Sequence, residues 1–72
     1  MVEYRINITT SGTHKEYGID LIIDNYAVDS ITGITDNYSD IKGLAEFCNE
    51  LEVEPCHFIY VIEDYLTDFK VN

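Results

Sequence analysis

The side chains best suited to metal binding or nucleophilic catalysis are two cysteines and two histidines, namely Cys48, Cys56, His14 and His57. Three of them follow a C-x7-C-H spacing, whereas zinc sites usually place paired ligands about two to five residues apart. No serine or cysteine is placed convincingly beside His57 together with an orienting partner, which is what nucleophilic catalysis needs. We therefore predict no metal, no cofactor and no enzymatic activity.

Paired carboxylates and phosphate-binding loops are also missing from the sequence. Glu63 and Asp64 are neighbours, so on a helix their side chains point about 100° apart and do not form a paired acid–base site. No G-x-x-x-x-G-K motif occurs, and only four Lys and Arg residues are present to hold a phosphate. This charge balance excludes direct nucleic-acid binding.

The overall charge is the feature that says most about partners. Fourteen Asp and Glu residues against four Lys and Arg give a formal net charge of −10 at pH 7. Such a chain repels nucleic acids and anionic membranes, and it attracts basic surfaces and meets them faster at low salt. We therefore expect a protein partner with a basic surface, such as one that binds nucleic acid.

The acidic residues in the second half of the chain are predicted to form the partner-binding surface, on the outer side of two helices. Tyr60 would add rigid contact area there. The alternative is a solvated face that only keeps a small protein soluble. The predicted partner-binding residues are Glu46, Glu50, Glu52, Glu54, His57, Tyr60, Asp64 and Asp68.

Hydrophobic alternation in the first third of the chain predicts a β-hairpin. Residues 2–9 and 17–24 both alternate with a period of two, and Ser11-Gly12 marks a turn between them. A fold about Gly12-Thr13 places Tyr4 opposite Leu21 and Arg5 opposite Asp20. This one register satisfies both the apolar ladder and a charge pair. On the outer face, the side chains are Arg5, Asn7, Asp20 and Ile22.

A third strand and two helices are predicted to follow. Asp24-Asn25 suits a tight turn, and the strand from Tyr26 to Ile34 needs a bulge near Asp29-Ser30 because its alternation changes parity. Asn37 or Ser39 is predicted to cap the first helix, and Pro55 to begin the second. The predicted buried stripes are Ile41, Leu44, Ala45, Cys48 and Leu51 on the first helix, and Phe58, Ile59, Ile62, Tyr65, Leu66 and Phe69 on the second.

These elements predict an α+β fold in a single domain, residues 1–72. We expect a three-stranded antiparallel β-meander followed by an antiparallel helix pair packed on one face, in the order β-β-β-α-α. No apolar run approaches the roughly 20 residues of a membrane span, and the first ten residues lack the pattern of a secretory signal. We therefore predict a cytoplasmic protein whose cysteines are reduced.

Several short motifs resemble a known family. They are YGI at 17–19, ITGIT at 31–35 and LAEFCNELEVEPCHFIYVIEDYL at 44–66, with C-N, P-x-H and I-E-D-[YF]-L as the most specific parts. From residue 17 onward the chain is similar to a family of short uncharacterised proteins from clostridial bacteria. The resemblance implies a small sheet with two helices and implies no activity. TGIT at 32–35 departs from it, since an acidic residue is expected there.

The functional prediction is a small, acidic, non-enzymatic protein-binding module. Its sharpest form is a nucleic-acid mimic of the phage type, an anti-CRISPR or anti-restriction inhibitor whose carboxylates imitate the phosphate array and occlude a basic surface. The alternative is a housekeeping regulatory or structural module, with homodimerisation as one way to bury more surface.

Overall fold

In a computed structural model, three strands precede two helices, and the structure describes the backbone of residues 1–71 and the side chains of residues 1–67. The strands form one antiparallel sheet in the order β1-β2-β3. This confirms the predicted α+β fold and its element order. The elements are β1 (Val2–Ser11), β2 (His14–Ile23), β3 (Tyr26–Thr35), α1 (Tyr38–Glu50) and α2 (Pro55–Val71).

The first hairpin has the predicted register. Tyr4 pairs with Leu21 and Arg5 with Asp20, and the strands are joined by the two-residue loop Gly12-Thr13. Gly12 adopts a φ of 62°, which a residue without a Cβ reaches at no steric cost. The alternation of apolar and polar residues therefore determines the pairing, because a slip by one residue would turn every side chain to the wrong face.

The second hairpin also turns as expected, but β3 is more irregular than the sequence suggested. Asp24 and Asn25 have φ values of 50° and 74°, as a two-residue hairpin turn with both central residues left-handed requires. The bulge predicted near Asp29-Ser30 is confirmed, and β3 has a second irregularity that the sequence did not predict. Along β3, one shift in the pairing with β2 lies between Ala27 and Asp29. A second shift lies between Ile31 and Thr35.

The second shift is made possible by two glycines. Gly33, in β3, has a φ of 65° and lies in the middle of the three residues of β3 that face the single residue Gly18 of β2. A Cβ on Gly18 would overlap the Ile31 carbonyl oxygen and lie 2.6 Å from Asn7 Oδ1. The backbone of β3 and the Asn7 amide therefore occupy the space that a side chain at position 18 would need.

Helix α1 begins and packs as predicted, with one exception. The Asn37 side chain accepts a hydrogen bond from the Asp40 N–H at 3.1 Å and caps the first turn. Ile41, Leu44, Ala45 and Cys48 are buried. Leu51, predicted to complete this stripe, is instead 62% exposed, because the helix ends at Glu50 and Leu51 is its C-terminal cap.

Helix α2 starts at Pro55 as predicted and buries Phe58 and Ile62, while Tyr65 and Leu66 are half-buried. Ile59, predicted to be buried, is 46% exposed. It lies in the second turn of the helix, at the edge of the stripe. The Phe69 side chain lies outside the described residues.

The core lies between one face of the sheet and both helices, and Tyr4 is at its centre. Its ring centroid is 5.1 Å from that of Phe58, and its hydroxyl donates a hydrogen bond to the Val53 carbonyl oxygen at 2.5 Å. Burial raises the pKa of the Tyr4 phenol. One side chain of β1 thus joins the sheet to α2 and to the segment between the helices.

Within the described residues, neither helix is long and apolar enough to cross a membrane. The cytoplasmic location stays a prediction.

Candidate protein-binding surface on the helix pair

The predicted acidic surface is exposed wherever the structure describes its side chains. The Asp68 side chain lies outside the described residues. The other seven predicted residues are all exposed, and they divide between the two helices and the segment that joins them. They are Glu46, Glu50, Glu52, Glu54, His57, Tyr60 and Asp64.

A groove is lined by residues of both helices, and we call it the interhelix groove. One part is bounded by Leu44, Phe47, Val61, Asp64 and Tyr65. The adjoining part shares Phe47 and Val61 and ends at the interhelix segment; it adds Leu51, Glu52, Val53, Glu54 and His57. The residues of α1 and α2 meet along it in reverse order, as in an antiparallel helix pair.

The interhelix groove combines an apolar centre with an acidic rim. Phe47 of α1 is 48% exposed and Leu51, the C-terminal cap of this helix, is 62% exposed, so two large apolar side chains lie uncovered in one groove. Glu52, Glu54 and Asp64 line the edges of the same groove, while Glu46 and Glu50 are exposed on α1. Such a surface suits a segment that is both apolar and basic.

The C-terminus of α1 holds Glu52 in an unusual backbone conformation. The Val53 N–H donates to the Cys48 carbonyl at 3.0 Å and the Glu52 N–H to the Asn49 carbonyl at 3.2 Å, which is the Schellman pattern. Glu52 occupies the left-handed position of this motif, with a φ of 50°. Glycine is the usual residue there, since a Cβ in this conformation costs about 1–2 kcal/mol.

The exposed carboxylates near the C-terminus of α1 are poorly placed for stability. Glu46 and Glu50 are like charges four residues apart on α1, and Glu50 and Glu52 lie at the negative end of the helix dipole, where no basic residue is present in the last turn. Among residues 1–67, ion pairs join Met1 to Asp24 and Glu3 to Arg5, and His14 Nε2 lies 3.9 Å from Glu16 Oε1; none of these contacts involves a helix carboxylate.

A cluster of possible metal ligands lies at the end of the interhelix groove. One donor atom each from Glu54, Cys56 and His57 lies within 4.8 Å of the other two, and all three side chains are exposed. The Cys56 Sγ lies 3.7 Å from Glu54 Oε2. The sequence prediction missed this cluster because it paired Cys56 with Cys48, which is buried in the core and whose pKa that burial raises.

The open face of the sheet carries a separate polar network. Asn7 Nδ2 donates to Asp20 Oδ1 at 2.8 Å, and the Ser30 hydroxyl donates to the same oxygen at 2.6 Å. These residues link all three strands. This network includes no histidine that could activate Ser30, so we interpret the network as structural.

Comparison with known proteins places the chain in a family. A family model described as a family of unknown function, DUF6514, matches residues 1–68. The chain belongs to this family. No curated protein and no solved structure matches it. Membership of DUF6514 agrees with the predicted resemblance to an uncharacterised family, whereas the clostridial origin and the motif pattern stay predictions.

The sequence of this DUF6514 chain predicted exposed carboxylates on the helices but not the apolar groove beside them. The sequence does contain the pattern of this groove. Leu44, Phe47 and Leu51 recur at i, i+3 and i+7, so Phe47 widens the apolar stripe of α1. Leu44 and Leu51 were assigned to the core stripe, and Phe47 was assigned to neither face. A stripe of this width on a short helix predicts a partly uncovered surface.

Proposed function

We propose that this DUF6514 chain is a non-enzymatic protein-binding module whose interhelix groove receives a basic amphipathic helix of a partner protein. The apolar side of that helix would contact Phe47 and Leu51, and its Lys and Arg residues would meet the acidic rim. Recognition of this kind is a helix-in-groove mode. The observation that carries the proposal is the pairing of two exposed apolar side chains with an acidic rim on one surface.

The energetic cost of the carboxylates near the C-terminus of α1 supports this proposal. Glu52 keeps a left-handed backbone where glycine would be more stable, and Glu46, Glu50 and Glu52 repel one another or the helix terminus. Costs of this kind persist where the residues serve another purpose, and the inference runs from the strained residue to a functional hypothesis. A solvated face that served only solubility would not need to place its charges at these positions.

Two rival functions make different predictions about the same surface. A nucleic-acid mimic would depend on its carboxylates, and Phe47 and Leu51 would contribute little. A homodimer joined through the groove would bring two chains of charge −10 together. That charge opposes self-association at low salt, so we favour a cationic partner over a second copy.

A designed peptide tests the proposal on the intact chain. The probe is a fluorescent amphipathic helix with leucines on one side and lysines on the other, and its binding is measured by anisotropy. We expect F47S and L51S each to weaken binding at least tenfold, or about 1.4 kcal/mol. The matched control is I8S, which changes an equally exposed apolar residue on β1 and should leave binding unchanged.

Charge is tested with the same probe. The double substitution E46Q/E50Q should weaken binding and flatten its dependence on salt, whereas D29N, on the exposed part of β3, should do neither. A peptide of the same composition with scrambled order should bind poorly. Equal binding of the scrambled peptide, or full binding by F47S and L51S, would contradict the groove and favour the mimic. Sedimentation of the free chain as a dimer would favour self-association.

A further inference from the structure

We propose that Glu54, Cys56 and His57 form a transition-metal site, best suited to Zn²⁺, at the start of α2. This inference is independent of the proposed protein partner, since it concerns the isolated chain. The three residues offer one carboxylate oxygen, one sulfur and one imidazole nitrogen, all exposed and within 4.8 Å of one another. Zn²⁺ accepts all three donor types, and three protein ligands leave its fourth position open.

The separation of the donor atoms agrees with tetrahedral coordination. Bond lengths of about 2.3 Å to sulfur and about 2.1 Å to oxygen place these two ligands about 3.6 Å apart around a tetrahedral zinc ion. The Cys56 Sγ and Glu54 Oε2 are already 3.7 Å apart. The imidazole of His57 needs only a side-chain rotation to approach, because it is exposed and its donor atom already lies within 4.8 Å of the other two.

The local backbone brings the three donors together at the first turn of a helix. Pro55 is the first residue of α2, and the His57 N–H donates to the Glu54 carbonyl at 2.8 Å. Glu54 therefore precedes the turn, and the next two ligands follow within it. The neighbouring Glu52 lines the same end of the groove and adds negative charge that attracts a cation.

Metal binding deprotonates the thiol. The S–H bond of Cys56 breaks, its electron pair forms the Zn–S bond, and the proton passes to the buffer, so one proton is released for each ion bound while no oxidation occurs. Zn²⁺ thus replaces a proton on sulfur and adds bonds to Glu54 and His57. Mg²⁺ and Ca²⁺ prefer oxygen ligands and should not compete.

Cobalt titration of the intact chain tests the site, because Co²⁺ substitutes for Zn²⁺ and reports its ligands. We expect a thiolate-to-cobalt charge-transfer band in the near ultraviolet, which Zn²⁺ abolishes by displacement. C56S should remove the band. H57Q and E54Q should each lower Zn²⁺ affinity, with H57Q at least about 100-fold weaker, more than the loss expected for an outer-shell partner.

Matched controls separate this site from general metal binding by an acidic protein. H14Q changes the other histidine, which lies near Glu16, and E46Q changes a helix carboxylate away from the cluster. Both should retain the band and the affinity. Absence of a charge-transfer band, or Zn²⁺ binding that is unchanged in C56S and H57Q, would overturn the proposal and identify the binding as adventitious. Circular dichroism verifies that each variant is folded.

Discussion

Single residues determine how closely the strands of this sheet approach. Gly18 lies where the backbone of β3 and the Asn7 side chain leave no room for a Cβ, while Gly43 lies on the exposed side of α1 with open space around it. The two glycines therefore affect stability in opposite ways. Packing requires a glycine at position 18, whereas glycine at position 43 only weakens the helix.

Alanine substitutions at these two glycines should change stability in opposite directions. G18A should lower the free energy of unfolding by at least about 2 kcal/mol, because the added Cβ overlaps the Ile31 carbonyl. G43A should raise it by about 0.5–1 kcal/mol through helix propensity. Urea denaturation followed by circular dichroism measures both. A tolerated G18A would mean that β3 does not pair with β2 as described.

Glu52 offers a second test at the residue scale, which separates stability from function. E52G should raise the free energy of unfolding by about 1 kcal/mol, because glycine relieves the left-handed conformation. E52Q is the control, since it removes the charge but keeps the strained backbone. Both variants should bind the leucine–lysine peptide less tightly than the unaltered chain. A destabilised E52G would contradict the description of the α1 terminus.

At the scale of elements, the edge of the sheet is attached to α1 by one side chain. Asn49 Oδ1 accepts from the Tyr4 N–H at 2.8 Å, and Asn49 Nδ2 donates to the Tyr4 carbonyl at 2.9 Å. The side-chain amide thus pairs with the free edge of β1 as a neighbouring strand would. This bond pair also covers part of an edge that would otherwise be open to other strands.

Removal of the Asn49 amide should loosen the helix from the sheet. N49A loses two hydrogen bonds and should lower the free energy of unfolding by about 1–3 kcal/mol. N49D should also be destabilised, since a carboxylate accepts from the Tyr4 N–H but cannot donate to its carbonyl. Amide hydrogen exchange at Tyr4 should accelerate in both. Unchanged exchange would show that the bond pair contributes nothing to closing the edge.

The elements also show which parts of the fold the sequence predicts. The alternation of apolar and polar residues predicted the register of β1 and β2. In this register the apolar side chains of both strands share one face, and a shift by one residue would turn those of one strand to the other face. Leu51 and Ile59 were wrongly predicted to be buried. Helical periodicity gives the face of the helix on which a side chain lies, but it does not say whether another element covers that face. Leu51 follows the last turn of α1 as its C-terminal cap and remains 62% exposed in the interhelix groove.

The second register shift of β3, the apolar groove and the Glu54–Cys56–His57 cluster could not be predicted, for related reasons. The shift around Gly33 depends on contact between that strand and Gly18, which are far apart in sequence. The acidic rim was predicted from helix positions alone, since exposure of charged residues is the default. The apolar groove required knowledge of where α2 lies against α1, and the Glu54–Cys56–His57 cluster required the turn that begins α2.

For the whole molecule, net charge is the property on which solution conditions act most strongly. A charge of −10 on 72 residues makes the folded chain repel itself, since folding brings the carboxylates closer together. Few ion pairs offset this among the described residues, and all of them lie outside the helices. The same charge that favours a basic partner therefore lowers the stability of the free chain.

Salt should consequently stabilise the free chain. Between about 10 mM and about 100 mM NaCl the Debye length falls from about 30 Å to about 10 Å, so repulsion between carboxylates on different elements is screened. We expect the free energy of unfolding in urea to rise over this range, and to rise less in E46Q/E50Q. A stability that is independent of salt would indicate that the carboxylates are too dispersed to interact.

We propose that the interhelix groove, and not acidity in general, makes this chain a protein-binding module. The most direct measurement is nuclear magnetic resonance mapping of the leucine–lysine peptide on the nitrogen-labelled chain. We predict that the largest shift changes occur at Leu44, Phe47, Leu51 and Val61, with little change at Asp20 or Asp29. Changes spread over acidic residues on the sheet and the helices alike would contradict the claim.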